Sequence, residues 1–163
     1  TLVAWVKLDS LSREGAPIVF SKPHFKGAFG WSVNPLGKLV LEIDTGSSFE
    51  KYESAVAFSQ DRVGRWIHLA TSFDGENKWI NHFVNGRSFS REKLSLAETI
   101  SLRNGLIGHY QAFPNHNPNF SMKGSIDEFA LFDSVWDETD IRKLYEVGCP
   151  RDDFLSQDSR IFP

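Results

Sequence analysis

The sequence predicts an all-β sandwich of two antiparallel sheets with one short helix near the C-terminus. Three observations point there. Apolar residues recur with the strand period of two along most of the chain. Tight-turn dipeptides, Asp74-Gly75 and Asn85-Gly86, separate consecutive strand-like runs. Aromatic residues reach 13%, with 14 Phe and 5 Trp. Two facing sheets need large rigid side chains to fill the roughly 10 Å between them.

The elements follow in order. Leu2, Ala4, Val6 and Leu8 alternate with Val3, Trp5 and Lys7. Pro17 to Ser21 is a short β-branched run. Phe29, Trp31 and Val33 alternate with Gly30 and Ser32, which assigns both aromatics to the core. Leu39, Leu41 and Ile43 alternate with Val40, Glu42 and Asp44, and Tyr52 to Phe58 forms another run. Trp66 to Phe73, Trp79 to Val84 and Arg87 to Phe89 make an antiparallel meander through the two turns. Type I′ geometry is expected at both turns, because Asp-Gly and Asn-Gly tolerate two successive positive φ values. Later strands fall at Gly105 to Gly108 and Ser125 to Phe132. Asp137 can cap a helix, with Trp136 and Ile141 placed for a hydrophobic staple. Ile141, Leu144 and Tyr145 share its apolar face, and Gly148 and Pro150 end it. This helix is expected on the rim of the sandwich.

Composition excludes several function classes. With 163 residues the chain suits one domain and a full core. The expected division is a domain over 1–150 and a polar tail over 151–163. Eighteen basic residues face 21 acidic ones, a net charge of −3. No basic excess exists to neutralise phosphates, so nucleic acid is not an expected partner. No apolar run reaches the roughly 18 residues of a membrane-spanning helix, so membrane insertion by this segment is not expected. Cys149 is the one cysteine, so no internal disulfide forms, and it reads as an apolar filler. Thr1 opens directly onto a strand-like run. That start suggests a piece excised from a longer protein, with other domains of the parent chain as neighbours.

Four segments together resemble the concanavalin A-like lectin/glucanase superfamily, and within it the laminin-G-like domains related to pentraxins. They are Thr1 to Asp9, Arg65 to Gly75, Phe83 to Gly86, and Lys123 to Phe132 followed by Trp136 to Tyr145. The resemblance implies a jelly roll, with a further strand usual before the first segment. It also implies an extracellular, periplasmic or cell-surface location, since such domains are often appended to enzymes or to envelope signalling regulators. Fold alone does not name a function.

The glucan-cutting members of that superfamily carry two or three acids on one strand. A retaining mechanism needs two carboxylates about 5.5 Å apart. Glu42-Ile43-Asp44 begins such a pattern, but Thr45-Gly46-Ser47 reads as a turn and leaves Glu50 beyond the strand. Glu42 and Asp44 therefore read as a solvated strand end, and no catalytic residue is assigned. Gly-x-Ser-x-Gly and phosphate-loop motifs are absent.

Calcium needs six to eight oxygens, several from carboxylates. The segments matching the pentraxin ligand loops, Lys22 to Gly27 and Tyr110 to Ser121, hold no acid. Neither the paired calcium site nor the phosphocholine binding that depends on it is expected, and no cofactor is assigned. A single structural calcium at Asp127 is left open, against an Asp satisfied by nearby amides. His24, His68, His82, His109 and His116 show no zinc spacing. His68 is expected to make a structural hydrogen bond.

The segment from His109 to Ser121 is the candidate site. It combines three Asn, one Gln, two Pro, two His and three aromatics without an acid or a permanent cation. Directed amide hydrogen bonds beside flat apolar rings suit a neutral polyhydroxylated ligand. The residues assigned to ligand binding are Tyr110, Gln111, Phe113, Asn115, His116 and Asn117. The competing reading is a long connection whose rings tuck into the sandwich end. The expected function is a non-catalytic module that recognises a glycan or a protein partner. A glycoside hydrolase and a structural spacer or oligomerisation domain are the alternatives.

Overall fold

The structure, a computed structural model, describes residues 1–21, 25–110 and 120–148, with Phe120 described for its backbone only. The described residues form twelve strands and one α-helix in chain order. They are β1 (Leu2–Leu8), β2 (Ala16–Phe20), β3 (Phe29–Val33), β4 (Lys38–Asp44), β5 (Phe49–Val56) and β6 (Ile67–Asp74). Then come β7 (Trp79–Val84), β8 (Arg87–Lys93), β9 (Leu106–Ile107), β10 (His109–Tyr110), β11 (Phe120–Ser121), β12 (Gly124–Leu131) and α1 (Glu138–Val147). One sheet runs β12-β1-β6-β7-β8 and the other β5-β4-β3-β2-β9. Every pairing in both sheets is antiparallel. This is the expected sandwich, and its strands fall where the period-two runs are.

The core lies between the sheets. Leu2, Ala4, Val6 and Leu8 of β1 meet Phe29, Trp31 and Val33 of β3 and Leu39, Leu41 and Ile43 of β4, all essentially buried. One polar chain crosses this apolar layer. Trp31 Nε1 donates to Thr71 Oγ1 at 2.8 Å, and Thr71 Oγ1 lies 2.9 Å from His82 Nδ1. The hydroxyl accepts the indole N–H and shares a second hydrogen bond with Nδ1 of neutral His82. His82 Nε2 is buried without a hydrogen-bond partner among the described residues. Burial holds the imidazole at about 4, against a smaller opposing pull from the Tyr52 backbone.

The helix is placed differently from expectation. Its residue Ile141 packs with Val3, Ala70 and Phe83, which point out of the first sheet, away from the core. It therefore covers a sheet face and not the rim. The capping is as expected: Asp137 Oδ1 accepts from Thr139 N at 2.8 Å and Asp140 N at 3.0 Å. Trp5, His68 and Tyr145 form an aromatic group under the helix. Trp5 and Tyr145 stack at 5.4 Å, and Trp5 and His68 meet edge-on at 5.2 Å. His68 Nδ1 does not make the expected structural hydrogen bond, since it is buried without a partner among the described residues. Packing holds it instead, and burial lowers its pKa to about 4.

The two meander turns also differ from each other. Asn85 (φ 50°) and Gly86 (φ 76°) both sit in the left-handed region, as type I′ requires. Asp74-Gly75 does not form such a turn. The connection runs to Lys78, the left-handed residue at φ 63°, and Asp74 Oδ1 accepts from Asn77 N at 2.8 Å. A Cβ on Gly75 would come within 2.2 Å of the Glu98 carbonyl oxygen, so close backbone approach is what needs glycine there.

Candidate functional site

The outward face of the second sheet carries a groove of about 600 Å³. That lies within the roughly 300–1,000 Å³ of ordinary ligand sites. Strand alternation builds it. Phe29, Trp31 and Val33 point into the core, so Gly30 and Ser32 face outward and give a low floor. Val40 and Glu42 face outward from β4, and Phe49, Lys51 and Glu53 from β5.

One wall depends on a β-bulge. Pro17 pairs with Ser32, but Val19 pairs with Trp31, so Ile18 is an extra residue. Both Ile18 and Val19 are buried. Phe20 consequently pairs with Gly30 and turns outward. Without the extra residue, alternation would aim Phe20 into the core. A Cβ on Gly30 would lie 3.2 Å from Phe20 Cδ2, so the missing side chain leaves room for the ring over the strand. Tyr110 reaches the same wall from β10, and the two rings meet edge-on with centroids 4.2 Å apart.

The opposite wall is polar and internally paired. Lys51 Nζ lies 3.4 Å from Glu42 Oε2, and Lys38 Nζ 3.2 Å from Glu53 Oε2. Asn34 Nδ2 donates to Glu53 Oε1 at 3.3 Å. Glu92 comes up beside Glu53 from the other sheet, where burial first, and then the Glu53 charge, push its carboxyl above the ordinary range. Carboxylate lone pairs and amide groups next to a two-ring wall offer hydrogen bonds and an apolar platform together.

The predicted site is thus connected to this groove by Tyr110. Strands β10 and β11 pair His109 with Ser121 and Tyr110 with Phe120, which brings the two flanks of the predicted segment together. His109 Nδ1 lies 2.8 Å from Ser121 Oγ. Gln111, Phe113, Asn115, His116 and Asn117 lie outside the described residues. Sequence reasoning missed Phe20, Glu42, Lys51 and Glu53 as members of one surface. The outward positions of β3 and β4 were readable from alternation, whereas the bulge that turns Phe20 outward has no mark in the sequence.

The acids considered for catalysis are separated. Glu42 lines the groove, but Asp44 does not belong to its lining and is not solvated. Its Oδ1 accepts from Gly46 N at 2.7 Å and closes the turn after β4. Glu50 lies in β5 and accepts from the Tyr52 hydroxyl at 2.6 Å and from Ala97 N at 2.9 Å. It fastens the segment after β8 to the sheet. The exposed Asp127 accepts from Glu128 N at 2.8 Å. Among the described residues, no three His, Cys, Asp or Glu side chains are grouped to hold a metal ion. No helix among them is long and apolar enough to cross a membrane.

The profile of the concanavalin A-like lectin/glucanases superfamily, of laminin-G type, matches residues 1–142. The chain belongs to this superfamily. A search of curated proteins finds no match. Solved structures share the fold at low identity. A pentraxin from Limulus polyphemus, described as SAP-like, superposes with a TM-score of 0.64 at 15% identity, covering 88% of this chain and 68% of its own. The CBM40 of the Ruminococcus gnavus IT-sialidase superposes at 0.65 with 15% identity, covering 88% and 80%, and it has also been solved with α2,3-sialyllactose. The binding domain of botulinum neurotoxin DC, solved with rat synaptotagmin II, gives 0.64 at 14% identity, covering 89% and 34%. Structures that share this fold thus include a carbohydrate-binding module solved with sialyllactose and a domain solved with a protein.

Proposed function

We propose that the chain is a non-catalytic recognition module that holds a glycan in the groove of the second sheet. The observation that carries this reading is the Phe20–Tyr110 ring wall facing the Glu42, Lys51 and Glu53 wall across a 600 Å³ space. A sugar ring presents an apolar face to aromatics and hydroxyls to carboxylates and amides. The similarity to a carbohydrate-binding module crystallised with sialyllactose supports a glycan partner. The botulinum neurotoxin neighbour keeps a protein partner as the alternative occupant. Asp44 is engaged by a turn and stands apart from the groove, so the Glu42–Asp44 pattern does not form a glycosidase pair there, and Glu42 and Glu53, which do line it, are each held by a lysine. We further propose that the module acts outside the cytoplasm, as one domain, with residues 1–150, of a larger exported or cell-envelope protein.

The test is a glycan array probed with and without a chelator. Binding should survive the chelator and fall about tenfold or more in Phe20→Ala, with melting unchanged within a few degrees. Asn115→Ala with His116→Ala tests whether the predicted loop joins the groove. Binding unaffected by Phe20→Ala would remove the groove from the account.

A further inference from the structure

The geometry points to a neutral, hydroxyl-rich glycan as the occupant of this groove, with carboxylated sugars excluded by its charge. This rests on the reading of the groove as a glycan site and adds the chemical class. The groove is lined by three carboxylates, Glu14, Glu42 and Glu53, and by one ammonium, Lys51. Lys38 adds a second cation beside Glu53, and Glu92 adds a further acid there. Acids therefore outnumber cations among the described charged groups.

Both cations are already engaged. Lys51 pairs with Glu42 at 3.4 Å and Lys38 with Glu53 at 3.2 Å. An incoming carboxylate would meet the uncompensated acids or would have to displace one of these pairs, and like charges at short range oppose binding. A sugar hydroxyl makes neither demand. It donates to the remaining lone pairs of Glu42 or Glu53 and leaves each ion pair in place, while an apolar sugar face rests on the Phe20–Tyr110 wall.

Matched probes test this. Lactose is titrated against 3′-sialyllactose, and cellotetraose against an oligogalacturonate. At least one neutral probe should bind about tenfold or more tighter than any carboxylated one. In Glu42→Gln with Glu53→Gln, the gap should narrow through gained affinity for the carboxylated probes. A folding check by thermal melting accompanies each variant. Tighter binding of a carboxylated probe that is lost in Phe20→Ala would overturn the assigned class and leave the groove reading standing. Glycan binding insensitive to Phe20→Ala, or no binding by any probe, would overturn both.

Discussion

At the residue scale, the polar groups buried in the core carry sharper consequences than its hydrophobes. Thr71 links Trp31 of one sheet to His82 of the other through a single hydroxyl. Thr71→Val keeps the shape but leaves the Trp31 N–H buried and unbonded. It should cost about 1–3 kcal/mol in urea unfolding, which an unchanged midpoint would contradict. His68 and His82 set the acid response. Burial holds both neutral at about 4 in the folded state, against 6.5 for the free imidazole. Below pH 6.5 the unfolded chain binds protons that the folded chain refuses. Stability is thus complete above pH 6.5 and declines down to about pH 4, by on the order of 2–3 kcal/mol per histidine. Unfolding free energies at pH 7 and pH 5 should differ, and the difference should shrink in His68→Phe. A flat profile over that range would show that these rings are not buried as described. Glu50 acts in the same sense but at lower pH. Burial raises its carboxyl, but the Tyr52 hydroxyl and the Leu96 and Ala97 amides together hold it below its ordinary value. Its contribution is lost only in stronger acid.

At the element scale, a bulge and two glycines decide what the sheets present. The extra residue Ile18 puts Phe20 on the outer face, and Gly30 gives its ring somewhere to lie. Gly30→Ala should displace that ring by a few tenths of an ångström and weaken glycan binding while leaving melting nearly unchanged. Titration calorimetry beside a melting curve separates the two effects. Gly86 is constrained differently. Its φ is +76°, and an added Cβ would lie 3.0 Å from the Tyr145 ring of α1. Gly86→Ala should therefore cost about 1–3 kcal/mol, because the turn and the helix packing both resist it. An increase in stability there would contradict the turn assignment.

At the scale of the whole molecule, the architecture was legible because alternation survives in almost every strand. Leu2, Ala4, Val6 and Leu8 announce a buried face, and so do Phe29, Trp31 and Val33. The Asp137 cap was equally readable, since it depends on neighbours in the chain. What could not be read depends on contacts between distant segments. The Asp74-Gly75 pair looks like a type I′ turn, but the Glu98 carbonyl approaching Gly75 explains the glycine. The helix seat on Val3, Ala70 and Phe83 joins residues from three separated strands. For the candidate site, local chemistry singles out Tyr110, whereas the bulge that turns its neighbour Phe20 outward leaves no mark in the sequence.

The most direct test follows the backbone amides of the labelled chain by NMR while the tightest glycan from the array is added. The largest shifts should fall at Gly30, Ser32, Glu42, Lys51 and Tyr110, on the outward face of β3, β4 and β5 and on β10. Shifts concentrated instead on β1, β6, β7 and β8, or cleavage of the glycan during the titration, would contradict a binding module built on this groove.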